Sequence, residues 1–140
     1  MHIKSFIKRI DHIGIAVSEI DTVIPFYTEV LGLTLKGIET VEQEDVRVAF
    51  LQLDDIQLEL LEPLSNDSTI AHYIEKYGEG IHHIALETSH IKESMEHIIK
   101  YEGKLIYNEP HKGAKQAQIN FIHPKFAHGV LFELLEKKTI

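Results

Sequence analysis

Two segments of this chain open an apolar run with a histidine and then alternate bulky and small side chains. They are Asp11-His12-Ile13-Gly14-Ile15-Ala16-Val17 and Ile81-His82-His83-Ile84-Ala85-Leu86. A buried strand rarely starts on an imidazole unless that group has a partner. If the segments are copies, the chain is a duplicated module with a histidine at the same place in each half. Counting supports this. His12 to Gly32 is 20 residues, and so is His83 to Gly103. Leu58-Glu59-Leu60-Leu61-Glu62-Pro63 in the first half answers Phe132-Glu133-Leu134-Leu135-Glu136-Lys137 in the second. Gly32 to Glu59 is 27 residues and Gly103 to Glu133 is 30, the extra three matching a longer final loop over His123–His128. Four landmarks in register make the repeat a property of the whole chain.

The pattern within each copy gives the elements. Ile10–Val17 reads as a strand, with Ile13, Ile15 and Val17 on the core face and His12, Gly14 and Ala16 on the other. Ser18-Glu19-Ile20-Asp21 fits a capping box. A helix from Asp21 or Thr22 would then carry Val23, Phe26, Tyr27, Val30 and Leu31 and stop at Gly32, with Pro25 near its first turn. Leu33–Ile38, Val46–Leu53 and Ile56–Leu61 follow as strands, the last two joined in a hairpin at Asp54-Asp55. Pro63 to Gly80 connects the modules and holds a short helix over Thr69–Tyr77. The second copy repeats the order. It has a strand over His82–Thr88 and a helix from about His90 to Tyr101 with Ile91, Met95, Ile98 and Ile99 inward. Lys104–Asn108, Gln116–Ile122 and Gly129–Leu135 are its three further strands.

Composition removes several function classes. The chain has no cysteine, which excludes disulfides, thiolate nucleophiles and cysteine zinc sites. A formal net charge of −8 argues against nucleic acid, where cationic contacts to phosphates dominate binding. No apolar run approaches the ~20 residues of a membrane span, and the N-terminus lacks the pattern of a secretory signal, so the expected location is the cytoplasm. Of the ten histidines, His90, His97 and His128 lie in polar surroundings and read as surface groups. Only the strand histidines are informative.

Duplication puts His12, Glu59, His83 and Glu133 in equivalent places, so a pseudo-twofold arrangement would converge all four on one point. Two imidazoles and two carboxylates suit one divalent ion such as Co, Zn, Ni, Mn or Fe. Adjacent strand residues face opposite ways, so only one of His82 and His83 can be a ligand. His83 shares its face with Ala85, as His12 does with Gly14 and Ala16. That selects His83 and leaves His82 to the packing behind it. The expected architecture is α+β: two tandem βαβββ modules forming a curved mixed sheet around a central metal site. A single domain would cover 1–140, with module one about 8–64, a linker over 65–79 and module two about 80–137.

At this point the chain resembles the vicinal oxygen chelate superfamily, which includes glyoxalases, bleomycin resistance proteins and dioxygenases. Within it the chain is most similar to the methylmalonyl-CoA epimerases. The resemblance runs from about Ile10 to Glu136. The histidine segments carry it, together with Glu59-Leu60-Leu61-Glu62-Pro63-Leu64 and Asp67-Ser68-Thr69-Ile70, and then Phe121-Ile122-His123-Pro124-Lys125 and Gly129-Val130-Leu131-Phe132-Glu133-Leu134. It implies metal ligands at His12, His83 and Glu133, with the fourth at Glu59. It also implies interconversion of the C2 epimers of methylmalonyl-CoA through an enolate, with Glu133 as ligand and base together, and a homodimeric assembly. Some family members draw a second base from the third strand of the first module. The comparable place here falls near Val48, beside Arg47, which leaves Glu59 or a water relay for that role. A lactoylglutathione lyase of the glyoxalase I type uses the same ligand set and is the alternative, and a metal-free small-molecule binding module is the second. The acyl-CoA partner is polyanionic, so Lys112, Lys115 and Lys125 are candidates to meet its phosphates.

Overall fold

A computed structural model describes residues 6–139. They form two compact units, one of residues 12–82 and one that joins the residues up to 11 with those from 83 onward. Strand β1 (Ile7–Ala16) gives its first half to the second of these and its second half to the first.

The 12–82 unit follows the strand-helix-strand-strand-strand order. After β1 come α1 (Ile20–Pro25), β2 (Thr34–Val41), β3 (Val46–Leu53) and β4 (Ile56–Pro63), then α2 (Thr69–Tyr77). The strands stand in the order β2-β3-β4-β1. β2 and β4 flank β3 antiparallel, and β1 runs parallel to β4. One face of this sheet packs against α1 and the turn that follows it: Ile20, Val23, Ile24 and, just beyond the helix, Tyr27 close over Val17, Ala49, Leu51, Leu58 and Leu60. Burial, with the Glu79 carboxylate adding to it, raises the Tyr27 phenol above its usual pKa.

The other unit repeats the plan with β5 (Gly80–Thr88), α3 (Ile91–Lys100), β6 (His111–Lys112), β7 (Gln118–Ile122) and β8 (Phe132–Glu136). Its order is β5-β8-β7-β6. β5 and β8 are parallel, and β7 is antiparallel to both β8 and β6. Ile91, Met95 and Ile98 of α3 pack on Leu134, Leu105, Ile122 and Ile7. Each sheet is mixed and the fold class is α+β. Among the described residues no helix is long and apolar enough to cross a membrane.

The two helices are anchored by the same device. The first N–H of α1, on Ile20, donates to Glu62 Oε1 at 2.8 Å, and the first N–H of α3, on Ile91, donates to Glu136 Oε1 at 2.8 Å. Each glutamate lies three residues beyond the strand glutamate singled out above, so it points to the opposite face, under the helix. This replaces the expected capping box. Ser18 lies before the cap residue Glu19, whose side chain makes no cap bond, and a glutamate from the last strand of the module serves the helix instead.

Four further expectations change. Pro25 ends α1 rather than starting it, and the chain widens at once into a π-helical turn over Phe26–Val30, with Leu31 N–H donating to Phe26 O at 3.0 Å. A proline withholds one helical bond and crowds the carbonyl four residues back, which favours that widening. The second strand runs over Thr34–Val41 rather than Leu33–Ile38. On α3, Ile99 is 58% exposed, and the inward position falls to Ser94, fully buried and 2.6 Å from Thr88 Oγ1. Finally, Lys104–Asn108 makes only an isolated bridge between Leu105 and Ile122. The reason is Asn120, which is fully buried. Its amide accepts from Tyr107 N–H at 3.0 Å and donates to Tyr107 O at 3.0 Å, doing with a side chain what a strand neighbour does with backbone.

The landmark glycines stop their helices for different reasons. Gly32 has a φ of +75°, the left-handed value that favours glycine, whereas at Gly103 a Cβ would meet the Ile98 side chain and lie 2.8 Å from Ile98 O and the Phe126 ring. Glu87, 9% exposed, is a buried charge of this unit, with Arg9 and Lys137 each at 3.5 Å. Both cations also reach Asp11, at 3.6 and 3.5 Å.

Replacing Asn120 by Ala strips three partly buried backbone groups, the N–H and C=O of Tyr107 and the N–H of Phe121, of a partner and opens a void. We expect a loss of about 3 kcal/mol in urea unfolding, with Asn120→Asp recovering only part of it, since a carboxylate cannot donate to Tyr107 O.

Candidate metal centre

The face of each sheet turned away from its helix carries the histidine and the glutamate of that half. In the 12–82 unit, Leu58 and Leu60 pack under α1, so Glu59 between them points to the other face. It is 6% exposed, not solvated. Parallel pairing sets Glu59 beside Gly14 and Gln57 beside His12. Gly14 has no side chain, so the glutamate can lean back toward the histidine two residues earlier. His12 Nδ1 and Glu59 Oε2 are 3.1 Å apart, with His12 only 3% exposed.

The other unit builds the same pair from β5 and β8. Glu133 is beside Ala85, again a small residue two positions after the histidine. His83 Nε2 and Glu133 Oε1 are 2.8 Å apart, and the residues are 6% and 5% exposed. His82, on the opposite side of the strand, is half-buried with its ring edge-on to Tyr73 at 4.9 Å. The choice of His83 over His82 as the residue facing the glutamate agrees with this geometry.

Sequence reasoning missed one recurrent feature. Directly across the ladder from Glu59 stands Phe50, and directly across from Glu133 stands Phe121. Phe121 also meets the His83 ring edge-on at 5.7 Å. The signal was available, because both phenylalanines lie 18 residues beyond their landmark glycine. An apolar ring beside each carboxylate excludes water and strengthens its electrostatic contacts.

The donor chemistry fits a divalent ion. A carboxylate buried to this degree needs a compensating charge or a dense set of hydrogen bonds. Bonds of ~2.0–2.2 Å to one tetrahedral ion would put two ligand atoms roughly 3.4 Å apart, so pairs at 3.1 and 2.8 Å would each open slightly to share one. Neutral imidazole and carboxylate are ordinary ligands of such ions. Each half therefore presents a buried histidine–glutamate pair able to serve as metal ligands.

Comparison with known proteins agrees with the fold. Residues 11–121 match the Glyoxalase/Bleomycin resistance protein/Dioxygenase superfamily. The chain is 44% identical to the uncharacterised protein YqjC of Bacillus subtilis, over 94% of each chain. It is 32% identical to the ethylmalonyl-CoA/methylmalonyl-CoA epimerase of Cereibacter sphaeroides, over 91% of this chain and 97% of that one. The crystal structure of methylmalonyl-CoA epimerase from Mycobacterium tuberculosis is similar with a TM-score of 0.94 at 34% identity, over 99% of this chain and 94% of that one. The repeated strand register and these matches agree: the chain belongs to the glyoxalase/bleomycin resistance protein/dioxygenase superfamily.

Proposed function

We propose that this protein is a metal-dependent epimerase that interconverts the C2 epimers of methylmalonyl-CoA, with His12, Glu59, His83 and Glu133 as the ligands of one divalent ion. The observation that carries the reading is the buried histidine–glutamate pair made twice, at equivalent positions of a duplicated chain. The relatives named as epimerases of methylmalonyl-CoA supply the substrate class.

The chemistry is consistent with this. A proton flanked by a thioester and a carboxylate leaves only if the resulting negative charge is stabilised. A divalent ion held by the four side chains would supply that stabilisation to the substrate oxygens. The protein's own residues do the rest. Glu133, whose Oε1 lies 2.8 Å from His83 Nε2, is the carboxylate that takes the C2 proton on one side. Glu59, in the equivalent place, is the matching group that returns a proton on the other. Phe50 and Phe121 beside them keep competing water away. Val48 is 2% exposed and has no proton to give, so the third strand supplies no acid at that place.

The anionic end of an acyl-CoA has a cationic place to go. A cavity of about 470 Å³ is lined by Lys92, Lys112 and Lys138, which outnumber its one carboxylate, Glu109, with His111, Gln116 and Gln118 also on its wall. Of the three lysines expected from the sequence, Lys112 is the one that reaches it.

Incubation with methylmalonyl-CoA in deuterated water tests the reading. We expect C2 deuterium exchange that a chelator stops, that added divalent ion restores, and that Glu133→Gln lowers by about 10²–10⁴-fold. Exchange indifferent to chelator would overturn the proposal. Turnover of a glutathione hemithioacetal with none of the CoA ester would replace it with the lactoylglutathione lyase reading. For Lys112→Ala we expect KM for the CoA ester to rise severalfold at unchanged kcat, the mark of lost uniform binding.

A further inference from the structure

The His83–Glu133 pair is not the only diagonal contact between β5 and β8. Glu87 lies four residues beyond His83, and Lys137 lies four beyond Glu133. Ala85 stands beside Glu133 and Glu87 beside Leu135, so His83, Glu87 and Glu133 share the ligand face. In both contacts the later side chain leans back along β5. Glu133 Oε1 lies 2.8 Å from His83 Nε2, and Lys137 Nζ lies 3.5 Å from Glu87 Oε1. One offset thus serves a pair able to hold a metal and a pair of opposite charges. A slip of β8 along β5 would break both at once.

The second pair is itself fastened. Arg9 Nη1 lies 3.5 Å from Glu87 Oε1 and 3.6 Å from Asp11 Oδ1, and Lys137 Nζ lies 3.5 Å from Asp11 Oδ1. The four side chains close a ring of alternating charge, Asp11–Arg9–Glu87–Lys137. Lys8 adds a contact to Glu87 Oε2 at 3.9 Å. The two carboxylates have side chains only 14% and 12% exposed, so water and salt screen the ring less than they screen surface pairs. It joins three segments of one unit: the first half of β1, the end of β5 and the residue that follows β8.

The repeat does not account for the ring. The places of Glu87 and Lys137 fall on Ala16 and Pro63 in the 12–82 unit, and neither side chain can carry a charge. There the last strand is held farther along by backbone: Val46 pairs with Pro63, and Leu64 N–H donates to Asp45 O at 3.0 Å. In the other unit the ladder between β7 and β8 ends at Gln118 and Glu136, one residue short of Lys137. Charge does here what backbone does in the first copy. We propose that Glu87 is a positioning residue for the His83–Glu133 pair: through Lys137, Arg9 and Asp11 it fixes the stagger of β8 against β5, and so the approach of the carboxylate to the imidazole. Its use to the reaction rests on the reading of those two residues as metal ligands.

Imidazole NMR signals at a fixed pH test the assignment on metal-free protein. The His83 ring reports its contacts with Glu133 and with the edge of Phe121, and the His12 ring is the control in the other unit. The Lys137 side chain is 56% exposed, so Lys137→Met is expected to fold. We expect Lys137→Met and Glu87→Gln to move the His83 ring signals, Lys137→Arg to restore them, and the His12 signals to stay in place. Competition with a chelator should then show divalent-ion affinity lower by roughly 10–100-fold in the first two variants and near wild type in Lys137→Arg. A purely structural ring would lower the thermal midpoint and leave the His83 signals and the affinity unchanged, which would overturn the proposal. Equal shifts at His83 and His12 would overturn it too. Failure of the ligand reading looks different: wild-type protein would take up no ion, and the metal-free His83 signals would still decide whether Glu87 positions the pair.

Discussion

Two carboxylates kept almost out of water govern this structure. Burying an ionised glutamate without compensation costs several kcal/mol, far more than any one surface contact returns. The chain meets that cost twice by the same means. A small residue, Gly14 or Ala85, sits beside the carboxylate, the histidine two positions earlier closes on it, and a phenylalanine across the ladder seals it. A divalent cation is the remaining partner that such a pair calls for. Replacing these groups by apolar ones would leave a sheet with a dry face and no chemistry.

The second glutamate of each last strand ties that chemistry to the fold. Glu59 and Glu62, like Glu133 and Glu136, point to opposite faces of their strand. One is paired with a histidine, and the other holds the first N–H of the helix that covers the back of the sheet. A negative charge at a helix N-terminus is favourable both to the orphan N–H groups and to the helix dipole. Strand and helix therefore cannot shift independently, and the histidine-paired carboxylate takes its position from both. The device recurs at equivalent positions of both halves, so it belongs to the repeated module rather than to one local repair.

Much of this was legible in the sequence because the informative residues are chemically conspicuous. Histidines and glutamates on apolar strands stand out, their spacing reveals the duplication, and alternation together with the small-residue face of the first copy selects His83 rather than His82. What stayed hidden depends on contacts between distant residues. Phe50 and Phe121 look like any core aromatic until the register places them against the glutamates. Ser18 to Asp21 has the local signature of a capping box, but a glutamate 42 residues from Ile20 wins the N–H. Lys104–Asn108 has strand composition, yet the Asn120 side chain takes the bonds of Tyr107 that a ladder would have used. Ile99 fits the helical period, but the buried hydroxyl pair of Thr88 and Ser94 claims the inward position instead. In each case a tertiary partner overrides a local preference.

The central claim is that two histidine–glutamate pairs serve a single ion, and metal content measures it most directly. Purified protein, reconstituted with a divalent ion and freed of excess, should hold one equivalent per chain by elemental analysis. That equivalent should be lost on His83→Ala and equally on His12→Ala. Two equivalents per chain, each removed by only one of the substitutions, would mean that the pairs act separately. No equivalents at all would contradict the account outright.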